Sequence, residues 1–96
     1  MPAAIPEIQV TIPLTLRPLC GDQARLVLRA HTVRELLLAL ANEHPRVHVR
    51  LCDERGDPRP HINVFINDDH IRARAGLDTP LTAGDVVFLL PAVSGG

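Results

Sequence analysis

The sequence predicts a single α+β domain, in which a mixed sheet of about five strands covers one main helix. Two alternating apolar segments near the N-terminus predict a hairpin, and a capped amphipathic segment after them predicts the helix. Further short apolar segments follow, and the last of them is the run 86–90. A chain of 96 residues fits one domain with a modest core.

The N-terminal third has the pattern of a β-hairpin. Ile8, Val10, Ile12 and Leu14 occupy every second position, which predicts a half-buried strand. Pro18 and Gly21 punctuate residues 16–22 and predict a turn. Residues 24–29 then predict the second strand.

The main helix is predicted to begin after Thr32. Thr32 and Glu35 match a capping box, in which the hydroxyl and the carboxylate satisfy free backbone N–H groups. Helical spacing then gives an apolar stripe of Val33, Leu36, Leu37 and Leu40. Pro45 predicts that the helix ends at or before His44. The alternating Val47, Val49 and Leu51 predict a short extended or irregular segment.

The C-terminal half predicts a loop and three short strands. Charged and proline-rich residues at 52–60 predict a solvated loop. Residues 62–66 alternate as a third strand, a turn follows at 67–69, and residues 70–72 predict a fourth strand. A helical turn or irregular cover is predicted between Leu77 and Leu81. The run 86–90 is apolar on both faces, so we expect it deep in the sheet, parallel to the first strand.

Composition excludes several classes of function. The formal net charge is −1, and Phe65 and Phe88 are the only aromatic residues, which argues against nucleic-acid binding. No apolar run approaches the roughly 20 residues of a membrane span. The first residues lack the pattern of a signal peptide, so we expect a cytoplasmic protein that binds neither nucleic acid nor membrane.

Cysteine and histidine give no pattern of a metal site. Cys20 and Cys52 lie in no Cys-x-x-Cys pair, and we expect two free thiols without activating neighbours. His44 and His48 have helical spacing, but Pro45 between them predicts that the helical geometry is broken. We therefore expect no metal ligands. All ten basic residues are arginine, so a conjugated modifier of this sequence could not build chains on its own side-chain amines.

The C-terminal residues carry the main functional signal. We expect a domain over residues 1–91 and a flexible tail over residues 92–96, which ends in Gly95 and Gly96. Glycine lets the backbone of another protein approach closely, and five extended residues span about 17 Å. The tail can therefore enter a narrow tunnel and reach a distant active site. The alternative is a frayed terminus without function.

Three stretches resemble one known family: NVFIND at 63–68, LTAGDVV at 81–87 and LPAVSGG at 90–96. With the opening stretches named below, the resemblance covers nearly the whole chain. Together with the element order, the three stretches resemble the ubiquitin-like β-grasp fold and the bacterial MoaD/ThiS-type sulfur carriers. That family includes the small subunit of molybdopterin synthase and carriers for thiamine and cysteine biosynthesis. The stretches VTIP at 10–13, LRP at 16–18 and the tail look most similar to the actinobacterial cysteine-biosynthesis carrier.

The resemblance implies a carrier that is not itself an enzyme. An E1-like adenylating sulfurtransferase would use ATP to adenylylate the carboxylate of Gly96, which sulfur then converts to a thiocarboxylate. In the cysteine branch, sulfur would pass to a substrate on a pyridoxal-phosphate cysteine synthase, and a zinc-dependent peptidase would release cysteine. ATP, pyridoxal phosphate and zinc belong to these partners, and this chain is expected to bind no cofactor. We also expect that replacing Cys20 and Cys52 by serine leaves sulfur transfer intact.

Partner contacts are expected at the tail and on the sheet. The expected contact residues are Gly95, Ser94, Val93 and Phe65. The last strand would add either Val87 and Leu89 or Phe88 and Leu90, depending on which pair points outward. Arg17, Arg72 and Arg74 could pair with an acidic enzyme surface.

Three alternatives to a cysteine-biosynthesis carrier stay open. The chain could be the small subunit of molybdopterin synthase, with its tail docked permanently in the large subunit. It could be a protein modifier joined to target lysines through Gly96, or an interaction domain with an inert tail. The sequence does not choose among the three active tails, because all of them use the same chemistry at Gly96.

Overall fold

A computed structural model describes residues 4–92 of the chain. Its sheet contains β1 (Glu7–Thr11), β2 (Arg25–Arg29), β3 (Ile62–Ile66), β4 (Asp69–His70) and β5 (Val86–Pro91). The helices are α1 (Val33–Glu43) and α2 (Pro45–Leu51), and short 3₁₀ segments cover Leu14–Cys20, Ile71–Ala73 and Gly76–Asp78. The predicted α+β class is confirmed.

The five strands lie in the order β2-β1-β5-β3-β4. Strand β1 is antiparallel to β2 and parallel to β5, and β3 is antiparallel to both β5 and β4. The predicted parallel pairing of the first and last strands is confirmed. Strand β5 is therefore central, and it carries the last described residues in the middle of the sheet.

The core lies between one face of the sheet and the helices. Alternation along each strand directs one set of apolar side chains inward. From the strands these are Ile8, Val10, Leu26, Leu28, Val64, Ile66, Val87 and Leu89, and from the helices they are Val33, Leu36, Leu37, Leu40, Val47 and Leu51. The opposite face of the sheet has no helix over it among the described residues.

The last strand buries one of its two apolar faces and leaves the other at the surface. Val87 and Leu89 are buried, but Phe88 is half-buried and Leu90 is 42% exposed. The strand is central in the sheet, as predicted, yet all the covering helices lie on one side. Its second apolar row therefore stays on the surface.

The predicted helix start is confirmed. The Thr32 hydroxyl accepts a hydrogen bond from the Glu35 backbone N–H at 3.2 Å. The Glu35 carboxylate reaches back to the backbone N–H of His31 at 3.0 Å. Together these bonds satisfy donors that the first turn of a helix leaves free.

The segment around Pro45 confirms one prediction and corrects another. Residues 45–51 form α2 rather than an extended segment, and Pro45 is its first residue. Helix α1 ends at Glu43, so the predicted helix end before Pro45 is confirmed. Proline has no N–H to lose at the first position of a helix, and its fixed φ suits a helix start, so Pro45 also begins α2. Val47 and Leu51 are buried one turn apart, whereas Val49 between them is 56% exposed.

Two predicted strand segments are also shorter than expected. The first strand ends at Thr11, and Leu14 begins a 3₁₀ segment with its side chain exposed. The fourth strand covers only Asp69–His70, because the chain enters a second 3₁₀ segment at Ile71. Within residues 4–92, no helix is both long and apolar enough to cross a membrane.

Candidate functional site

The root of the tail is fixed to the start of β3. Pro91 lies opposite Ile62, and the Ala92 N–H donates to the carbonyl of His61 at 2.6 Å. The chain therefore stays paired with the sheet up to the point at which the predicted tail begins. The predicted site residues Val93, Ser94, Gly95 and Gly96 lie outside the described residues.

An apolar pocket lies on the outer face beside this root. Phe65 of β3 and Phe88 of β5 are directly opposite each other, and Leu90 is two residues closer to the tail. With Asn67 and Asp68 they line a shallow cavity of about 320 Å³, here called the sheet-face pocket. The outward pair of β5 is thus Phe88 and Leu90, and the alternative pair, Val87 and Leu89, belongs to the core.

His70 holds the ring of Phe65 in place. The two rings meet edge to face, with centroids 5.0 Å apart and an angle of 71° between their planes. His70 Nδ1 accepts from the backbone N–H of Arg72 at 3.0 Å, so Nε2 carries the proton and donates to Asn63 Oδ1 at 3.2 Å. A side chain fixed at both ring nitrogens gives Phe65 a firm wall, although Phe65 lies on the surface.

Asn67 joins the two strands that carry the pocket. Its backbone N–H donates to the Val86 carbonyl at 2.8 Å, and its side-chain oxygen accepts from the Val86 N–H at 3.1 Å. Its side-chain N–H donates to Asp85 Oδ1 at 3.1 Å. Asn67 has φ of 53°, a left-handed conformation that asparagine tolerates better than most residues.

The turn before β5 completes this connection. Asp85 Oδ2 accepts from the Thr82 backbone N–H at 2.9 Å and from its hydroxyl at 3.2 Å. Gly84 has φ of 91°, which favours glycine at this position. Burial raises the pKa of Asp85, but the hydrogen bonds from Thr82 and Asn67, with a smaller contribution from the charge of Arg74, outweigh burial and hold that pKa below its ordinary value.

The two cysteines lie in the core, away from this face. Both are buried free thiols, as predicted. Burial and the charge of Asp53 raise the pKa of the Cys52 thiol to about 11. A thiol is nucleophilic only as the thiolate, so Cys52 is protonated and unreactive at neutral pH.

The three arginines expected to meet a partner are in different situations. Arg17 donates from Nε to the carbonyl of Ile12 at 3.1 Å, and Arg74 lies 3.8 Å from the carboxylate of Asp69. Arg72 is exposed and makes no ion pair with a residue of the described range.

Among residues 4–92, no three His, Cys, Asp or Glu side chains are grouped as metal ligands.

The model of the ThiS family matches residues 10–96. This chain belongs to the ThiS family of ubiquitin-like sulfur carriers. The match includes the sheet-face pocket, the turn before β5 and the C-terminal residues.

The similarity to relatives in this family extends over nearly the whole chain. The sulfur carrier protein CysO of Mycobacterium tuberculosis is 33% identical over 92 residues, which cover 94% of this chain and 99% of that protein. A chain in the crystal structure of the Amycolatopsis orientalis BexX/CysO complex superposes with a TM-score of 0.81 at 32% identity, covering 93% of this chain and 99% of that one. The small archaeal modifier protein 1 of Methanosarcina acetivorans gives a TM-score of 0.80 at 31% identity, covering 98% and 100%.

The structure connects two separate stretches that carry the resemblance to the family. The first stretch ends in Asn67 and the second contains Asp85, and these side chains are hydrogen-bonded across β3 and β5. Both stretches are recognisable in the sequence, but the bond between them is not. An asparagine in a turn and an aspartate before a strand give no signal that they meet until the strands are known to be neighbours.

Proposed function

We propose that this carrier transports sulfur as a thiocarboxylate on Gly96 and delivers it for cysteine biosynthesis. The observation that supports delivery is the exposed pocket beside the root of the tail, because a partner that docks there receives the C-terminal residues at a fixed starting point. The similarity to CysO over nearly the full length supports the cysteine branch.

The proposed chemistry needs activation by a partner. A carboxylate resists nucleophiles because it is negatively charged. An adenylating sulfurtransferase would therefore join the Gly96 carboxylate to AMP from ATP, releasing pyrophosphate. Sulfide then attacks the carbonyl carbon and displaces AMP, so the carbon–sulfur bond forms as the carbon–oxygen bond to AMP breaks. The carrier supplies the acyl group and catalyses neither step.

The remaining partners of the proposal act after loading. A pyridoxal-phosphate cysteine synthase holds the sulfur acceptor, and a zinc-dependent peptidase releases cysteine from Gly96. Both steps need Gly96 to reach the active site of a partner, and a segment of four residues, such as 93–96, spans at most about 14 Å when extended. Gly95, Ser94 and Val93 are the residues proposed to contact the walls of the partner's tunnel.

We also propose the cytoplasm as the site of action, since ATP is available there and reducing conditions keep cysteines free.

Intact mass measurement tests the loading step. The purified carrier is incubated with ATP, a sulfur source and the adenylating sulfurtransferase of the same organism, and then with O-phosphoserine and the cysteine synthase. We expect one oxygen atom to be replaced by sulfur and the product to become a cysteine adduct. A variant without Gly95 and Gly96 is the matched control and should stay unchanged.

Each other outcome of this measurement has a definite meaning. Loading without an adduct would contradict the cysteine branch and favour the small subunit of molybdopterin synthase or another acceptor. No mass change with an active enzyme control would contradict sulfur loading.

A second candidate, a protein modifier joined through Gly96, is favoured by the similarity to the small archaeal modifier protein.

Docking on the sheet-face pocket is tested by Phe65→Ala. Truncation of an aromatic side chain at a docking centre costs binding about tenfold or more. Leu38→Ala is the matched control, because Leu38 is 58% exposed on the helix side of the molecule. We expect the KM for the carrier in the loading reaction to rise for Phe65→Ala and to stay constant for Leu38→Ala. Equal KM values for the two variants would contradict docking at Phe65.

A further inference from the structure

We infer that Asp68 is a charge-specific contact on the sheet-face pocket, and that it selects partners with an arginine or lysine beside the apolar group that enters the pocket. This inference rests on the proposed function, because it assumes that a partner protein docks on this face. It adds the chemical class of the partner residue and a specificity role for Asp68.

The acidic side chains near the pocket differ in what they contact. The Asp69 carboxylate lies 3.8 Å from Arg74. Asp85 accepts hydrogen bonds from Thr82 and Asn67 at 2.9–3.2 Å. Asp68 is exposed, and its carboxylate has neither an ion pair nor a hydrogen bond with residues of the described chain. Asp68 is therefore the acid at this face that is available to a partner.

The position of Asp68 is fixed by its neighbour. Asn67 is bonded through its backbone N–H and both side-chain polar atoms to Asp85 and Val86. The hairpin then continues into β4, where Asp69 pairs with Ile66. The backbone of Asp68 is thus held between two anchored residues at the wall of the pocket. A pre-positioned charge loses little conformational freedom on binding.

The chemistry of the pocket defines the partner surface. Phe65, Phe88 and Leu90 form an apolar wall, which suits an aliphatic or aromatic side chain of the partner. When that side chain excludes water, the charge of Asp68 is screened less than at an open surface. A cation placed there gains attraction, whereas a second acid is repelled. Charge pairs of this kind mainly set the association rate and the choice of partner.

Binding kinetics test the role of Asp68. The probe is the adenylating sulfurtransferase of the loading assay, and its association with the intact carrier is measured at low and high salt. Asp68→Asn should slow association about threefold, and Asp68→Arg about tenfold or more. The salt dependence of association should weaken for Asp68→Asn, since it removes one attractive charge.

A matched control separates the local charge from the net charge. Glu43→Gln makes the same change of charge at an exposed residue of α1, on the opposite side of the sheet, and should bind like the wild type. Folding of each variant is checked by circular dichroism. Equal association rates for the wild type, Asp68→Asn and Asp68→Arg would overturn the inference. A dimer of the carrier that Asp68→Arg abolishes would also overturn it, because a second copy would then occupy the pocket.

This experiment is independent of the fate of Gly96. If the wild type binds the sulfurtransferase in a manner that depends on Asp68 but is never loaded with sulfur, the proposed function fails and the charge contact stands. If the wild type is loaded and the Asp68 variants bind and load equally well, the charge contact fails alone.

Discussion

Cys20 and Cys52 are the residues that a sulfur protein most readily suggests for a sulfur-bearing role, and their surroundings oppose it. Both side chains are buried, and burial raises the pKa of the Cys52 thiol to about 11. A thiol buried in the core does not reach a partner, and the protonated thiol of Cys52 does not attack a persulfide. We therefore expect the Cys20→Ser, Cys52→Ser variant to be loaded with sulfur at the wild-type rate, as measured by intact mass.

A buried hydroxyl can destabilise the fold, so this prediction needs a second variant. Transfer of an unpaired hydroxyl into an apolar site costs about 1–3 kcal/mol. Cys20→Ala, Cys52→Ala removes both thiols without adding polar groups, and its unfolding midpoint shows whether the domain remains intact. Loss of sulfur loading in a folded alanine variant would contradict the prediction and show that the cysteines take part in loading.

At the scale of elements, the turn before β5 holds the strand that leads to the tail. Hydrogen bonds from Thr82 and Asn67 stabilise the ionised form of Asp85 and lower its pKa. A carboxyl group whose pKa is lower in the folded state stabilises the fold at pH values above its unfolded pKa, which is about 3.9. This stabilisation is lost as the pH falls through the lower, folded-state value.

Asp85→Asn should remove this contribution. The asparagine side chain has one acceptor oxygen and one N–H₂ donor, so it cannot accept from both Thr82 and Asn67 as the carboxylate does. The lost hydrogen bond costs about 1 kcal/mol at neutral pH. The unfolding free energy is measured in urea from pH 7 downward, and the difference from the wild type should shrink below about pH 4. Asp78→Asn is the control, because it breaks only the exposed ion pair with Arg34 and should cost less. A pH-independent loss for Asp85→Asn would contradict the role of its charge.

The elements that the sequence predicted correctly are those with a strong local signal. Thr32 and Glu35 mark the start of α1, and the alternation at 62–66 marks β3. Helix α2 was missed because Val47, Val49 and Leu51 satisfy strand alternation, while burial follows the helical pair Val47 and Leu51. The spacing alone fits both structures, and the packing of the helices decides between them.

The candidate site was predicted only in part for a related reason. Phe65 was expected on a partner surface, and it does lie on the outer face. The choice between the two phases of β5 needed the side of the sheet on which α1 packs, and an apolar strand does not specify that side. The contacts of Asn67 and Asp85 join residues 18 positions apart, so they follow from strand order rather than from local sequence.

At the scale of the whole molecule, the sequence has no lysine to which the activated Gly96 of another copy could be joined. All ten basic residues are arginine, and a guanidinium stays protonated and is a poor nucleophile. An activated Gly96 therefore meets no side-chain amine on another copy of the carrier. We expect that a concentrated carrier, activated with ATP and the sulfurtransferase without a sulfur source, forms no covalent dimers through side chains.

A single substitution should remove this protection. Arg46 is exposed on α2 and forms no ion pair with the described residues, so Arg46→Lys adds an accessible amine without altering the core. In the same mixture, this variant should form covalent dimers that peptide mapping locates at position 46, because a free amine attacks an acyl-adenylate. Arg46→Gln is the matched control and should remain monomeric, as should Arg46→Lys without Gly95 and Gly96. Side-chain-linked dimers of the wild-type carrier would show that lysine is not required, and the chain could then assemble into polymers like those of a protein modifier.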